Sequence, residues 1–123
     1  MVAVIIADIV GSKQIPDRPS AQRTLEAALA EVAEETPTAQ RELLPTVGDE
    51  LQGIYPDLST AIATTLLVQL AVPVGIELRF GIGVGEIHDI PSVTGPLSEG
   101  EAWWAARAAI ERVERLSRRA APS

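Results

Sequence analysis

The chain begins VAVIIADIVGS, and residues 2–9 of that stretch are apolar at nearly every position. A strand that is apolar at successive rather than alternate positions reads as buried on both faces. One carboxylate, Asp8, interrupts the run shortly before the turn-former Gly11. A charge at the end of so apolar a strand has two readings. It is a turn or capping acid, or it is a metal ligand held by a rigid strand at the rim of a sheet.

The rest of the chain alternates between helical and strand patterns. GSKQIPDRPS is a loop with two prolines, and SAQRTLEAALAEVAEE then sets Leu25, Leu29 and Val32 at helical spacing with glutamates opposite. Thr36 and Pro37 end that helix. LLPTVGDELQGIY is two short apolar runs about Gly48-Asp49-Glu50, which is a hairpin pattern. PDLSTAIATTLLVQLAV predicts a second helix, opened by Asp57 or Ser59 and closed before Pro73, with Leu58, Ile62, Leu66 and Leu70 as its apolar stripe. IELRFGIGVGEI alternates as a strand does, with Gly81, Gly83 and Gly85 on the face opposite Phe80, Ile82 and Val84. A loop through Pro91, Gly95 and Pro96 leads to a last helix. There Ser98 and Glu101 match a capping box, and Trp103, Ala106, Ile110, Val113 and Leu116 form the apolar seam.

This order gives the fold class α+β: a ferredoxin-like or palm βαββαβ antiparallel sheet with helices on one face plus a C-terminal helix. Residues 1–116 make the domain and 117–123 a basic C-terminal tail. With strand order 4-1-3-2, strands one and three are neighbours. The end of strand one and the turn of the hairpin then share one sheet edge, which brings Asp8 and Asp49 within reach of one metal ion.

Bulk composition narrows the function. A chain of 123 residues is one domain, and without cysteine it has neither disulfides nor a thiolate zinc site. No basic segment precedes the first apolar run and no stretch is long enough to span a bilayer, so the expectation is a cytoplasmic protein with no membrane contact. The net charge of −7 argues against nucleic acid as a partner of this segment. The sign is uneven: residues 1–100 hold five Lys/Arg against fourteen Asp/Glu, whereas residues 101–123 hold five Arg against three Glu.

Two carboxylates at a sheet edge suit Mg²⁺ or Mn²⁺, which take oxygen ligands and leave positions for nucleotide phosphates. Glu50 is a third ligand or points to solvent. Arg107 either neutralises a triphosphate or phosphoryl transition state, or pairs with Glu111 one turn on. Of the adjacent Trp103 and Trp104, one packs on the sheet and the other is free for a dimer contact or base stacking. The alternating glycines admit a ligand or partner helix, or pack closely on a neighbouring layer. DIVG fits a GTPase element, but no phosphate-binding Gly-x-x-x-x-Gly-Lys loop accompanies it. His88 has no assigned role.

IIADIVGS, TVGDELQGIYP with a helix after it, LRFGIGVGEI and WWAARAAIE occur in that order over residues 2 to about 116. The set resembles the catalytic core of class III nucleotidyl cyclases and, more closely, the N-terminal part of SatD-type bacterial proteins, a family linked to acid tolerance. VGDEL is also similar to the GGDEF turn of diguanylate cyclases. The resemblance implies that Asp8 and Asp49 bind metal, that the Ile9 carbonyl is an auxiliary ligand, and that Arg107 stabilises the transition state. It implies a head-to-tail homodimer in which that arginine comes from the second subunit, and continuation into a helix-turn-helix region. Three positions depart from the cyclase pattern. Leu43 stands at the adenine-reading lysine, Trp103 at the asparagine four residues before the arginine, and Pro96 roughly at the acid that works with the lysine. The resemblance therefore supports two expectations. The first is a domain binding a divalent metal and a nucleoside triphosphate, with phosphoryl or nucleotidyl transfer as its chemistry. The second is a non-catalytic dimeric module of a stress regulator.

Overall fold

The computed structural model describes residues 1–35, 37–46, 48–93 and 97–120. In it β1 (Val2–Ile9) lies inside a four-stranded sheet with β2 (Arg41–Pro45), β3 (Glu50–Tyr55) and β4 (Leu78–Gly85). The order is β2-β3-β1-β4 with antiparallel neighbours throughout, the order the sequence implies. Side chains alternate across the sheet, so β1 feeds two cores. Ala3, Ile5, Ala7 and Ile9 pack under α1 (Arg18–Glu35) and α2 (Leu58–Ala71) with Leu25, Leu29, Leu51 and Tyr55. Val4 and Ile6 pack with Ala102, Trp103, Ala106 and Ile110 of α3 (Glu101–Ala120) on the other face. Asp8 shares the α3 face by the same alternation.

The glycines of β4 explain how α3 lies so close. A Cβ at Gly81 or Gly83 would collide with the carbonyl oxygens of Ala106 and Ala102. The close-packing reading holds, and the layer that uses the bare backbone is the chain's own last helix.

Helix boundaries follow local chemistry. Asp17 accepts a hydrogen bond from the Ser20 N–H, so α1 starts two residues earlier than the sequence pattern suggests, with Pro19 in its first turn. Asp57, not Ser59, caps α2 by accepting from the Thr60 N–H.

Three expectations are corrected. The Leu58-Ile62-Leu66-Leu70 stripe of α2 is exposed, Leu70 to 84%, while Ala61, Thr64, Thr65 and Val68 face the sheet. Small and hydroxylated residues serve there because Thr64 and Thr65 return their hydroxyl protons to the Thr60 and Ile62 carbonyls, leaving no unmet donor. Ser98 does not cap α3. It lies in a small hairpin, β5 (His88–Ile90) with β6 (Leu97–Glu99), and accepts a hydrogen bond from the Trp103 indole at 2.8 Å. Leu116 is half-exposed rather than part of the α3 seam. Gly95 and Pro96 lie outside the described residues. The helix continues through Ala120, and no described helix is long and apolar enough to cross a membrane.

Candidate functional site

Strand register assembles the site. Asp8 lies opposite Glu50 in the β1–β3 ladder and opposite Arg79 in the β1–β4 ladder. Asp49, one residue before β3, therefore stands at the edge where β1 ends, as the topology argument requires. The Val10 N–H donates to the Glu77 carbonyl at 2.8 Å. Peptide groups of successive residues point to opposite sides of an antiparallel strand, so the Ile9 carbonyl turns toward β3 and the Asp49 turn.

Each acid has a distinct partner. Arg79 donates through Nε to Asp8 Oδ1 at 3.0 Å and through Nη2 to Oδ2 at 3.4 Å. Ser12, in the 3₁₀ turn Ser12–Gln14, donates to Asp49 Oδ2 at 2.6 Å. Arg107 of α3 clamps Glu50 with two bonds of 2.6 and 3.0 Å. Arg107 thus reaches 57 positions back rather than bonding to Glu111 one turn on; Glu111 adds only charge nearby. Glu114, two turns beyond Arg107 on α3, lies beside the Asp8 carboxyl.

The electrostatics follow from these contacts. Hydrogen bonding to Arg107 holds the Glu50 carboxyl below the ordinary carboxylate value, against the opposing cost of partial burial. Glu114 is pushed the other way, by its interaction with the Asp8 carboxyl and by partial desolvation. Arg79 and Arg107 are held more firmly protonated by Asp8 and Glu50 respectively.

A family model described as the SatD family matches residues 2–117. The chain belongs to the SatD family. No curated protein sequence matches it. Among solved structures, this SatD family member is similar to a bacterial light-regulated adenylyl cyclase, with TM-score 0.72 and 14% identity over 94% of this chain and 71% of that one. It is similar to an adenylate cyclase of Trypanosoma brucei, with TM-score 0.72 and 16% identity over 88% and 67%. A guanylyl cyclase domain of the RhoGC fusion protein from the aquatic fungus Blastocladiella emersonii gives 0.71 and 17% over 89% and 72%. The fold is that of class III cyclase catalytic domains.

An open cleft of about 730 Å³ adjoins Asp49 in this SatD domain. Ser12, Lys13, Arg18, Gln22 and Gly48 line it beside Asp49, so two of the five cations in residues 1–100 face it. The donor chemistry fits a hard divalent cation: Asp8 and Asp49 carboxylates, with a backbone carbonyl turned to the same edge. Among the described residues no three His, Cys, Asp or Glu side chains form a ready-made metal cluster. Both Glu50 oxygens are engaged by Arg107 and both Asp8 oxygens by Arg79, so either acid ligates a metal only by loosening its arginine. Leu43 and Trp103 are buried in the two cores, on opposite faces of the sheet, and Trp104 is 64% exposed.

Ser12, Lys13, Arg18, Arg79 and Glu114 are functional candidates that the sequence reading passes over. Arg79 had a signal, as the one cation on a strand face otherwise made of glycine beyond it. Glu114 had another, lying seven residues past Arg107 and so on the same side of α3. The cleft residues had none, because a loop and a hairpin turn meet there only through the sheet.

Proposed function

We propose that this SatD domain binds a divalent metal and a nucleoside triphosphate at the edge where β1 ends, and that its chemistry is phosphoryl or nucleotidyl transfer. The observation that carries the reading is the cleft beside Asp49, with Lys13, Arg18 and Ser12 on its wall. In a chain of net charge −7, that is a local supply of donors suited to phosphate oxygens.

In this reading Asp8, Asp49 and the Ile9 carbonyl hold Mg²⁺ or Mn²⁺, which when bound polarises phosphate oxygens and orients the nucleotide. Lys13 and Arg18 bind the phosphate chain. Arg107 offsets charge that develops on the transferring group, and Glu50 holds that guanidinium at the edge until then. Glu50 joins the metal ligands only by releasing Arg107. The cyclases of similar fold support the chemistry by that likeness, and a homodimer belongs to the same reading.

A second reading has its own observation. Leu43 and Trp103, at two positions where cyclases read the base, are core residues here. That favours a regulatory module which keeps the fold without base selection. Calorimetric titration of ATP and of GTP, each with Mn²⁺, into the wild type and Asp49→Asn separates the two. The proposal expects metal-dependent binding weakened at least ~10-fold by the substitution. A folded wild type that binds neither nucleotide at millimolar concentration would overturn it in favour of the module.

A further inference from the structure

The side chains of the cleft beside Asp49 present hydrogen-bond donors with few free acceptors. Arg18, in the first turn of α1, donates from Nη1 to Gln22 Oε1 at 2.6 Å, one turn on. That bond takes up the one side-chain amide oxygen on the wall and holds the guanidinium there. The remaining Arg18 N–H groups make no further bond among the described residues. The Ser12 hydroxyl is committed in the same way, to Asp49 at 2.6 Å. Lys13 makes no ion pair among the described residues, and Ile15 and Pro19 complete the wall with hydrocarbon.

Phosphate oxygens carry negative charge and only accept hydrogen bonds, and this wall answers both properties. A base makes different demands. Bases differ in where their amino and carbonyl groups stand, so telling them apart takes free donors and acceptors at fixed spacing, with an aromatic ring to stack on. Asp49 is the one carboxylate on the wall, and the metal takes it. Gln22 Oε1, the acceptor that could meet an amino group, is held by Arg18. The four aromatic residues of the chain stand elsewhere. Tyr55 and Phe80 belong to the core under α1 and α2, Trp103 donates its indole N–H to Ser98, and Trp104 projects from α3.

Resting on the reading of this edge as a metal–nucleotide site, we propose that the cleft recognises a triphosphate chain and not a base. Its ligands are then the magnesium complexes of any nucleoside triphosphate, purine or pyrimidine, and of inorganic triphosphate. Gln22 is the positioning residue. It commits its amide oxygen to ordering Arg18, so the guanidinium fork meets the phosphates already oriented.

Calorimetric titration of ATP, GTP, CTP, UTP and inorganic triphosphate, each with Mg²⁺, into the wild type and Gln22→Ala tests the proposal. Alanine is the better helix former, so α1 is retained, and an unchanged circular dichroism spectrum verifies it. The wild type is expected to bind the four nucleotides within ~3-fold of one another and inorganic triphosphate within ~10-fold of ATP. Gln22→Ala should weaken all five by a common factor of about 3- to 10-fold, the cost of ordering a freed arginine. A larger preference for one base, or inorganic triphosphate more than ~10-fold weaker than ATP, would overturn the inference and leave the nucleotide site standing. So would a Gln22→Ala effect confined to one nucleotide, which would make Gln22 a reader of the base. Binding of none of the five to a folded wild type would overturn the nucleotide reading itself, and this inference with it.

Discussion

Arg79 grips Asp8 with both side chains mostly covered, at 21% and 17% exposure, and Glu114 faces the same carboxylate. Removing the guanidinium leaves two acids facing each other beneath α3. Arg79→Ala is expected to destabilise the fold by about 2 kcal/mol in urea titration, since a hydrogen bond to a charged partner is lost and its acceptor stays partly buried. The pH dependence has two opposed parts. Glu114 has a raised pKa, so its contribution is fully present below the unfolded value of 4.5 and is lost as pH rises through its folded pKa. Glu50 has a lowered pKa, so its contribution is present above 4.5 and is lost as pH falls through its folded pKa. Glu114→Gln should therefore raise the melting temperature at neutral pH while leaving the acid-side loss in place. Melting curves across the carboxylate range and up to neutrality check this, and a neutral-pH melting temperature lowered by the substitution would contradict it.

At the level of elements, the α3–β4 contact depends on missing side chains. Gly83→Ala puts a methyl against the Ala102 carbonyl, which is rigid helix backbone. Overpacking of this kind costs about 1–3 kcal/mol, measurable as a shifted urea midpoint with an unchanged slope. β1 and β4 are legible in the sequence because an unbroken apolar run and a strict alternation each have one strand-like meaning. The inward face of α2 is not legible. A helix without charges is apolar on most sides, and periodicity alone does not say which side turns in. Close approach to the sheet selects Ala61, Thr64, Thr65 and Val68, and the larger Leu58, Ile62, Leu66 and Leu70 are left outside. Ser98 misleads for a related reason: its spacing to Glu101 fits a cap, but its hydroxyl is taken by the Trp103 indole.

At the scale of the whole molecule, one antiparallel sheet gathers residues from four parts of the chain to a single edge. Strand order alone puts Asp8 and Asp49 at that edge, which element order is enough to suggest. The Asp8–Arg79 and Glu50–Arg107 pairs span 71 and 57 positions, and they depend on exact register and on the height at which α3 crosses the sheet. No spacing rule carries that information, so the acids of the site are legible and their partners are not. The central claim is that metal and nucleotide bind at this edge. Titrating Mn²⁺ with ATP into the ¹⁵N-labelled chain and mapping paramagnetic broadening tests it most directly. The account predicts nucleotide-dependent broadening centred on residues 8–13 and 48–50, with α2 unaffected. Broadening centred elsewhere, or none in a folded chain, would contradict it.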